Sequence, residues 1–76
     1  MDNEVPRYWL GEAPIDCQTC PEKIDDCFYD AKTDYGPWAF MCPACFHLGP
    51  GLSRVGVGLG QEYTKQEDGR WLKTGG

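Results

Sequence analysis

The chain has 76 residues, and its twelve acidic and seven basic side chains give it a net charge of −5. We expect residues 1–76 to form one domain. A domain of this length buries too little apolar surface to be stable without an additional cross-link, such as a disulfide or a bound metal ion. The acidic balance disfavours simple binding to a polyanion, and no apolar run approaches the roughly 20 residues that cross a membrane as a helix. We therefore expect one small cross-linked domain with no membrane association.

Five cysteines supply the candidate cross-link. The first six residues lack the charged and apolar regions of a signal peptide, which predicts a cytoplasmic protein. In a reducing compartment, paired Cys-x-x-Cys motifs indicate metal binding before disulfide formation. The odd number of cysteines also fits a metal site better than a closed set of disulfides.

The N-terminal segment, residues 1–14, shows neither helical nor alternating periodicity and contains Pro6 and Pro14. This pattern predicts an extended arm. Its aromatic residues Tyr8 and Trp9 either complete a small core or contact a protein partner.

The next segment, residues 15–48, contains two cysteine knuckles, Cys17-x-x-Cys20 and Cys42-x-x-Cys45. Two residues between the cysteines of a pair allow one tight turn to present two sulfur atoms to the same ion, and two such turns complete a tetrahedral site. A catalytic zinc keeps one position open for water, whereas four cysteines fill every position. The four cysteines are therefore predicted to hold one structural zinc ion.

Between the knuckles, residues 26–30 and 36–42 alternate aromatic and other residues on either side of a turn-forming run. This pattern predicts a β-hairpin.

Strand alternation assigns the side chains of this hairpin to faces. It places Cys27 and Tyr29 on one face of the first strand. On the second strand it places Trp38 and Phe40 on the face of Cys42, so the large aromatic residues are expected on the metal side.

Two further residues are possible ligands. Cys27 could be a fifth ligand or a reactive thiol, but a lone cysteine in a strand is most often a small buried hydrophobic residue. His47 could replace a cysteine in the site, but two complete cysteine pairs leave it surplus.

After the second knuckle begins, residues 43–48 permit a short helix. Gly49 suits a left-handed C-cap and Pro50 suits the stop that follows it.

The glycine-rich segment, residues 49–60, lacks the Lys-Ser or Lys-Thr pair and the flanking elements of a phosphate-binding loop. We expect a structural loop instead, with Val55, Val57 and Leu59 turned inward.

The C-terminal part, residues 61–73, has strand-like flanks around an Asp-Gly turn and predicts a second hairpin. Residues 74–76 are expected to form a frayed tail.

The knuckles and the hairpin between them resemble the zinc-ribbon and treble-clef families, and in treble clefs the second knuckle opens a helix. The expected fold is a small metal-stabilised β-rich domain, a zinc ribbon with two knuckles, two β-hairpins and at most one short helix. Further motifs are similar to short zinc-ribbon proteins of bacteriophages: Trp9-Leu10-Gly11, Phe28-Tyr29-Asp30, Gly36-Pro37-Trp38-Ala39 and Gly58-Leu59-Gly60-Gln61-Glu62-Tyr63. That resemblance implies a small viral protein in a bacterial host and no catalytic residues.

The second knuckle also looks like that of rubredoxins, which hold iron with four cysteines. In rubredoxins a glycine follows each knuckle, whereas Pro21 and Phe46 stand at these positions here. This difference favours zinc.

Three functions follow as hypotheses. The first is a non-enzymatic zinc-binding module that binds a host or phage protein through Tyr8, Trp9, Tyr35 and the acidic residues of segment 12–30. The second is a nucleic-acid-binding zinc ribbon, with Tyr63 and Trp71 stacking on bases beside the cations Lys65, Arg70 and Lys73. The third is a rubredoxin-like iron electron carrier.

Overall fold

The computed structural model describes residues 6–76. Its elements are β1 (Cys27–Lys32), β2 (Trp38–Met41), α1 (Pro43–Leu48), β3 (Gly60–Lys65) and β4 (Trp71–Gly75). The four strands form one antiparallel sheet in the order β2-β1-β3-β4, because β1 pairs with β3 as well as with β2. The predicted small β-rich domain with two hairpins and one short helix is confirmed.

The two hairpins join at a close approach of β3 to β1. Gly60 lies opposite Ala31, and a Cβ atom on Gly60 would lie 2.4 Å from the Ala31 Cβ. Gly60 also has a φ of +153°, which side-chain-bearing residues rarely adopt. The last residue of the glycine-rich segment therefore allows the sheet to continue from one hairpin into the other.

The glycine-rich segment connects α1 to β3, and its valines do not point inward as predicted. Val57 is 96% exposed and Val55 39% exposed, whereas Leu59 is half-buried. The reason is a tight turn closed by hydrogen bonds from the N–H groups of Leu59 and Gly60 to the Gly56 carbonyl. The turn projects Val57, at its tip, into solvent.

The described part of the predicted arm, residues 6–14, is attached to the outer edge of β4. The Lys73 N–H donates to the Arg7 carbonyl (2.7 Å), and the Trp9 N–H donates to the Trp71 carbonyl (2.9 Å). Residues 1–5 of that arm lie outside the described residues.

The chain end differs from the frayed tail expected over residues 74–76. β4 extends to Gly75, which lies opposite Glu62, and the Thr74 hydroxyl donates to Glu62 Oε1 (2.6 Å). Residues 74 and 75 therefore belong to the sheet.

The sheet is covered on both sides. Helix α1 packs on one side, which we call the helix face; its buried cluster consists of Cys17, Tyr29, Ala31, Met41, Cys42 and Phe46. The other side, which we call the aromatic face, carries a group of contacting rings: Trp9, Phe28, Phe40, Tyr63 and Trp71.

Trp9 completes the packing of the aromatic face. Its ring centroid lies 5.4 Å from Phe28, 5.5 Å from Phe40 and 5.3 Å from Tyr63, in edge-to-face geometry. Such pairs contribute about 0.5–1.5 kcal/mol beyond the burial of their area. Beneath them, Phe28 is fully buried, so this side of the sheet has a small core of its own.

The predicted faces of the first hairpin are right for β1 and wrong for β2. Cys27 and Tyr29 do lie on the helix face. Phe40, however, packs on the aromatic face, and Met41 is the β2 residue buried with the cysteines. The alternation fails because Cys42 lies beyond the end of β2 and serves as the N-cap of α1, with φ −72° and ψ 164°.

Helix α1 has the predicted bounds, but Gly49 does not form the predicted left-handed cap. Its φ and ψ are −119° and −135°. The N–H groups of Gly49 and Gly51 both donate to the Cys45 carbonyl, each at 3.0 Å. No helix within residues 6–76 has the length and apolar character needed to cross a membrane.

Candidate metal centre

The four cysteines of the two knuckles meet beside the end of β2. Their sulfur atoms all lie within 4.8 Å of one another. Cys20 Sγ and Cys42 Sγ are 3.8 Å apart, about the sulfur–sulfur distance in a tetrahedron with metal–sulfur bonds of about 2.3 Å. All five cysteines of the chain are free thiols. The predicted cluster is confirmed, and its geometry could hold one metal ion.

The first knuckle is anchored to the free edge of β2. Its turn is closed by a hydrogen bond from the Cys17 N–H to the Glu22 carbonyl (3.0 Å). The Gln18 N–H then donates to the Phe40 carbonyl (2.9 Å), and the Phe40 N–H donates to Gln18 Oε1 (2.8 Å). Gln18, which lies between Cys17 and Cys20, therefore pairs with both the N–H and the carbonyl group of Phe40 at the free edge of β2. These bonds fix the position of the first knuckle and of its two sulfur atoms.

The second knuckle coincides with the start of α1. Cys42 is the N-cap, Cys45 lies in the first turn, and the Phe46 N–H donates to the Cys42 carbonyl (3.0 Å). The Phe46 ring stacks on Tyr29 of β1 with a centroid distance of 3.9 Å. A knuckle that opens a helix is the arrangement implied by the treble-clef resemblance.

Protein donors also approach the sulfur atoms. The Cys42 N–H donates to Cys17 Sγ (3.3 Å), and the Glu22 N–H donates to Cys20 Sγ (3.4 Å). The Thr19 hydroxyl lies 3.3 Å from Cys17 Sγ. Donors of this kind stabilise thiolates. Pro21 has no N–H, and the following residue supplies the donor instead.

The four thiols influence one another's ionisation. Burial raises the pKa of Cys17, but hydrogen bonds from Thr19 and from the Cys42 N–H outweigh it and bring the pKa to about 6. At Cys20 the Glu22 N–H lowers the pKa, but burial and the neighbouring thiols raise it to about 12. One thiolate therefore forms readily, and its neighbours resist ionisation unless a cation compensates the added charge.

Neither Cys27 nor His47 belongs to the cluster, which within residues 6–76 contains only the four knuckle cysteines. Cys27 is half-buried opposite Thr64, and burial raises the pKa of its thiol. The donor set is thus four thiolates, which suits zinc and iron alike.

A hydrogen-bonded chain beside the metal centre was not predicted. The Tyr29 hydroxyl donates to Glu62 Oε2 (2.6 Å), and His47 Nε2 lies 3.3 Å from the same hydroxyl. Because the single O–H of Tyr29 goes to Glu62, the contact with His47 requires a proton on Nε2. With the Thr74 hydroxyl also bound to Glu62, this chain connects α1 and β1 to the second hairpin.

The residues predicted to contact a protein do not form one patch. Tyr8 and Trp9 are half-buried beside β4, and Trp9 belongs to the aromatic face. Tyr35 lies in the turn between β1 and β2 and is 67% exposed. Of the three, only Tyr35 retains most of its surface for a partner.

The residues of the nucleic-acid alternative are only partly assembled. Lys65 lies opposite Trp71, with its Nζ 5.9 Å from the ring centroid, and Lys73 lies on the same sheet face. Arg70 instead forms a salt bridge with Asp68 (2.8 Å), and its guanidinium lies 4.1 Å from the ring centroid of Tyr8.

No protein-family model, curated protein or solved structure matches this chain. The zinc-ribbon likeness therefore depends on the four-cysteine geometry within a small β-rich fold. The bacteriophage origin stays a prediction.

Proposed function

We propose that Cys17, Cys20, Cys42 and Cys45 hold one zinc ion, and that the protein is a non-enzymatic module whose surface binds a protein partner. The meeting of four sulfur atoms within 4.8 Å supports the metal site. Four thiolates fill the coordination shell of zinc, so the ion has no position for an activated water and acts by stabilising the fold.

The environment of the sulfur atoms supports zinc over iron. Hydrogen bonds to sulfur are one of the means by which a protein tunes an iron–thiolate centre. Among residues 6–76, backbone N–H groups reach two of the four sulfur atoms, Cys17 Sγ and Cys20 Sγ. Proline and phenylalanine replace the glycines that follow the knuckles of rubredoxins. This polypeptide is thus poorly adapted to redox tuning.

Metal content and colour test this part of the proposal. Protein purified from cells supplied with both metals should be colourless and contain one zinc ion per chain. Cys42→Ser should lose the metal, whereas Cys27→Ser, altered in a thiol outside the cluster, should retain it. If the wild-type protein showed the visible absorption of an iron–thiolate centre, the zinc proposal would be wrong and the electron-transfer hypothesis would be favoured.

The proposed partner surface is the acidic side of the first knuckle and its flanks. Four carboxylates are exposed there, those of Asp16, Glu22, Asp25 and Asp26, and the apolar side chain of Ile15 is exposed among them. An acidic surface with an apolar element fits a basic protein, and its field accelerates association with such a partner. The acidic knuckle is the surface that we propose for binding.

Charge reversal on the knuckle tests this surface. Zinc-loaded wild-type protein and the Glu22→Lys/Asp25→Lys double variant should be compared in pull-downs from bacterial lysate. A basic protein captured by the wild type should be lost with this variant. A matched Glu67→Lys/Asp68→Lys variant, altered in the β3–β4 turn, should keep it. Equal capture by both variants would show that the acidic knuckle is not the binding surface.

A further inference from the structure

Cross-strand pairs of a lysine and an aromatic residue recur on the aromatic face. Residues directly opposite each other in a sheet project to the same side and lie within contact distance. Three such pairs flank the central rings, one on β1–β2 and two on β3–β4: Lys32 with Trp38, Lys73 with Tyr63, and Lys65 with Trp71.

Arg7 adds a fourth cation to this side. Tyr8 lies opposite Leu72, whose strand neighbours Trp71 and Lys73 belong to the aromatic face. The side chains before and after Tyr8 in the extended arm therefore project to that face as well. Arg7 and Lys73 accordingly line the same open groove.

The aromatic face is thus basic although the protein is acidic. The paired strand residues and Arg7 place four cations and one half-buried carboxylate, Asp30, on this face, whereas the whole chain carries a net charge of −5. Two further acidic residues lie at its margin: Asp26 beside Lys65, and Glu12, whose carbonyl accepts a hydrogen bond from Trp9 Nε1. Exposed charges act over a Debye length of about 8–10 Å. A phosphate in contact with these cations therefore interacts most strongly with them, and the field of the more distant acidic residues is screened.

Two of the rings can accept a stacking partner. Trp38 is 45% exposed on β2, at one edge of the sheet. Trp71, on the same face, is half-buried on β4 towards the opposite edge. Three strand spacings, about 14 Å, separate them across the sheet, and the register places them about six residues, roughly 20 Å, apart along the strands. Trp9 fills the surface between them, so the face is flat at its centre and offers a ring at either side.

We propose that the aromatic face binds single-stranded nucleic acid, with bases stacking on Trp38 and Trp71 and phosphates contacting Arg7, Lys32, Lys65 and Lys73. On this face an aromatic ring and a cation lie side by side repeatedly, and in a single strand of nucleic acid a base and a phosphate alternate in the same way. Stacking of bases on aromatic rings does not depend on the base sequence. An acidic peptide would use the cations but would leave the rings without a role. Arg70 is not part of this surface because Asp68 and Tyr8 hold it elsewhere.

Salt dependence and ligand choice test the proposal. The zinc-loaded full chain should bind labelled oligothymidine of about a dozen nucleotides, with the logarithm of affinity falling by about 0.7 per contacted phosphate for each tenfold rise in salt. Four cations thus limit the slope to about −3. Absence of binding at low salt, or equally tight binding to polyglutamate, would overturn the proposal, the second result by assigning the face to acidic proteins.

Matched variants test the location. Lys65→Gln should lower affinity and flatten the slope by about 0.7, whereas Lys23→Gln, altered on the first knuckle, should change neither. Trp38→Leu, at an exposed position, should weaken binding about 5- to 150-fold without changing zinc content or circular dichroism. Equal losses for the two lysine variants, or full affinity of Trp38→Leu, would refute binding at this face. None of these readouts depends on the acidic knuckle, so this proposal and the protein-partner proposal can fail separately.

Discussion

The two faces of the sheet are stabilised by different means. On the helix face the buried side chains surround four cysteines, and the packing is completed by a site suited to a metal ion. On the aromatic face the packing consists of rings, among them Phe28 of β1 and Tyr63 and Trp71 of the second hairpin. The cysteines therefore organise the first half of the chain, whereas the rings connect the first half to the second.

The use of both faces of the sheet compensates for the short length of the chain. A domain of this length rarely obtains enough stability from one hydrophobic core. Covering both sides of a four-stranded sheet increases the buried apolar area, and a metal ion held by the four cysteines would cross-link the side with fewer large side chains. The comparison predicts that the two faces respond differently to substitution.

Cys17→Ser or Cys42→Ser should have the largest effect. A structural zinc site supplies about 10–16 kcal/mol in small peptides, as much as the whole stability of a typical domain of about 5–15 kcal/mol. We expect loss of zinc and of the folded circular dichroism spectrum, with Cys27→Ser as the folded control. A fully folded, metal-free variant would contradict the dependence of the helix face on metal.

Phe28→Ala should weaken the aromatic face without altering the metal site. Phe28 is fully buried, and such truncations cost about 3–5 kcal/mol. Urea unfolding of the zinc-loaded protein should show the loss. The matched variant Phe46→Ala removes the ring that anchors α1 over β1, and it should lower zinc affinity as well as stability. Equal zinc affinities for the two variants would mean that the faces are not separable.

Tyr29→Phe should weaken the hydrogen-bonded chain of the helix face. Removal of a hydrogen bond to a carboxylate costs about 1.5–3 kcal/mol. Hydrogen bonds from Thr74 and Tyr29 lower the pKa of Glu62, so their stabilising effect is complete above its ordinary pKa and is lost as pH falls through the lowered value. Burial raises the pKa of Tyr29, which predicts a further loss of stability as pH rises past about 10.

These hydrogen bonds are tested by the difference in unfolding free energy between the wild type and Tyr29→Phe, measured at several pH values. Any loss of metal in acid is common to both proteins, and the comparison removes that shared effect. The difference should be largest near neutral pH and should shrink on the acid side as Glu62 becomes protonated. A difference independent of pH would show that the stability lost in Tyr29→Phe does not come from the bond to the Glu62 carboxylate.

Gly51→Ala should have the smallest of these effects. A Cβ atom there would lie 2.4 Å from the Phe46 Cα and 2.6 Å from its carbonyl oxygen, so the glycine-rich segment would have to move away from α1. Such overpacking costs about 1–3 kcal/mol, which thermal unfolding would detect. Val57→Ala, at the exposed tip of the same segment, should leave the melting temperature unchanged, and an equal loss for both would contradict close packing at Gly51.

Local patterns in the sequence predicted the elements and the metal site well. Alternating residues indicated the first hairpin, and strand-like flanks around an Asp-Gly turn indicated the second. The knuckle spacing predicted the cysteine cluster, and residues 43–48 formed the expected helix. Each of these depends on neighbours within a few positions, where backbone geometry constrains the outcome.

The errors occurred where contacts are distant in sequence or where an element ends. The alternation of β2 was extended to Cys42, but the strand stops at Met41 and the helix begins. The Tyr29–Glu62 bond joins residues 33 positions apart, and neither position carries a local pattern that indicates the other. The pairing of β1 with β3, which creates the aromatic face, is likewise a long-range choice of register.

The pairing of Ala31 with Gly60 has a consequence for the order of folding. The first hairpin, the knuckles and α1 are close along the chain, whereas β3 reaches β1 only after the intervening segment has closed into a loop. Loop closure costs entropy before the distant contacts form. We therefore expect the second hairpin to dock last, onto a half already assembled around its four cysteines. Substitution of Gly60 should slow this late step and leave the formation of the first half unchanged.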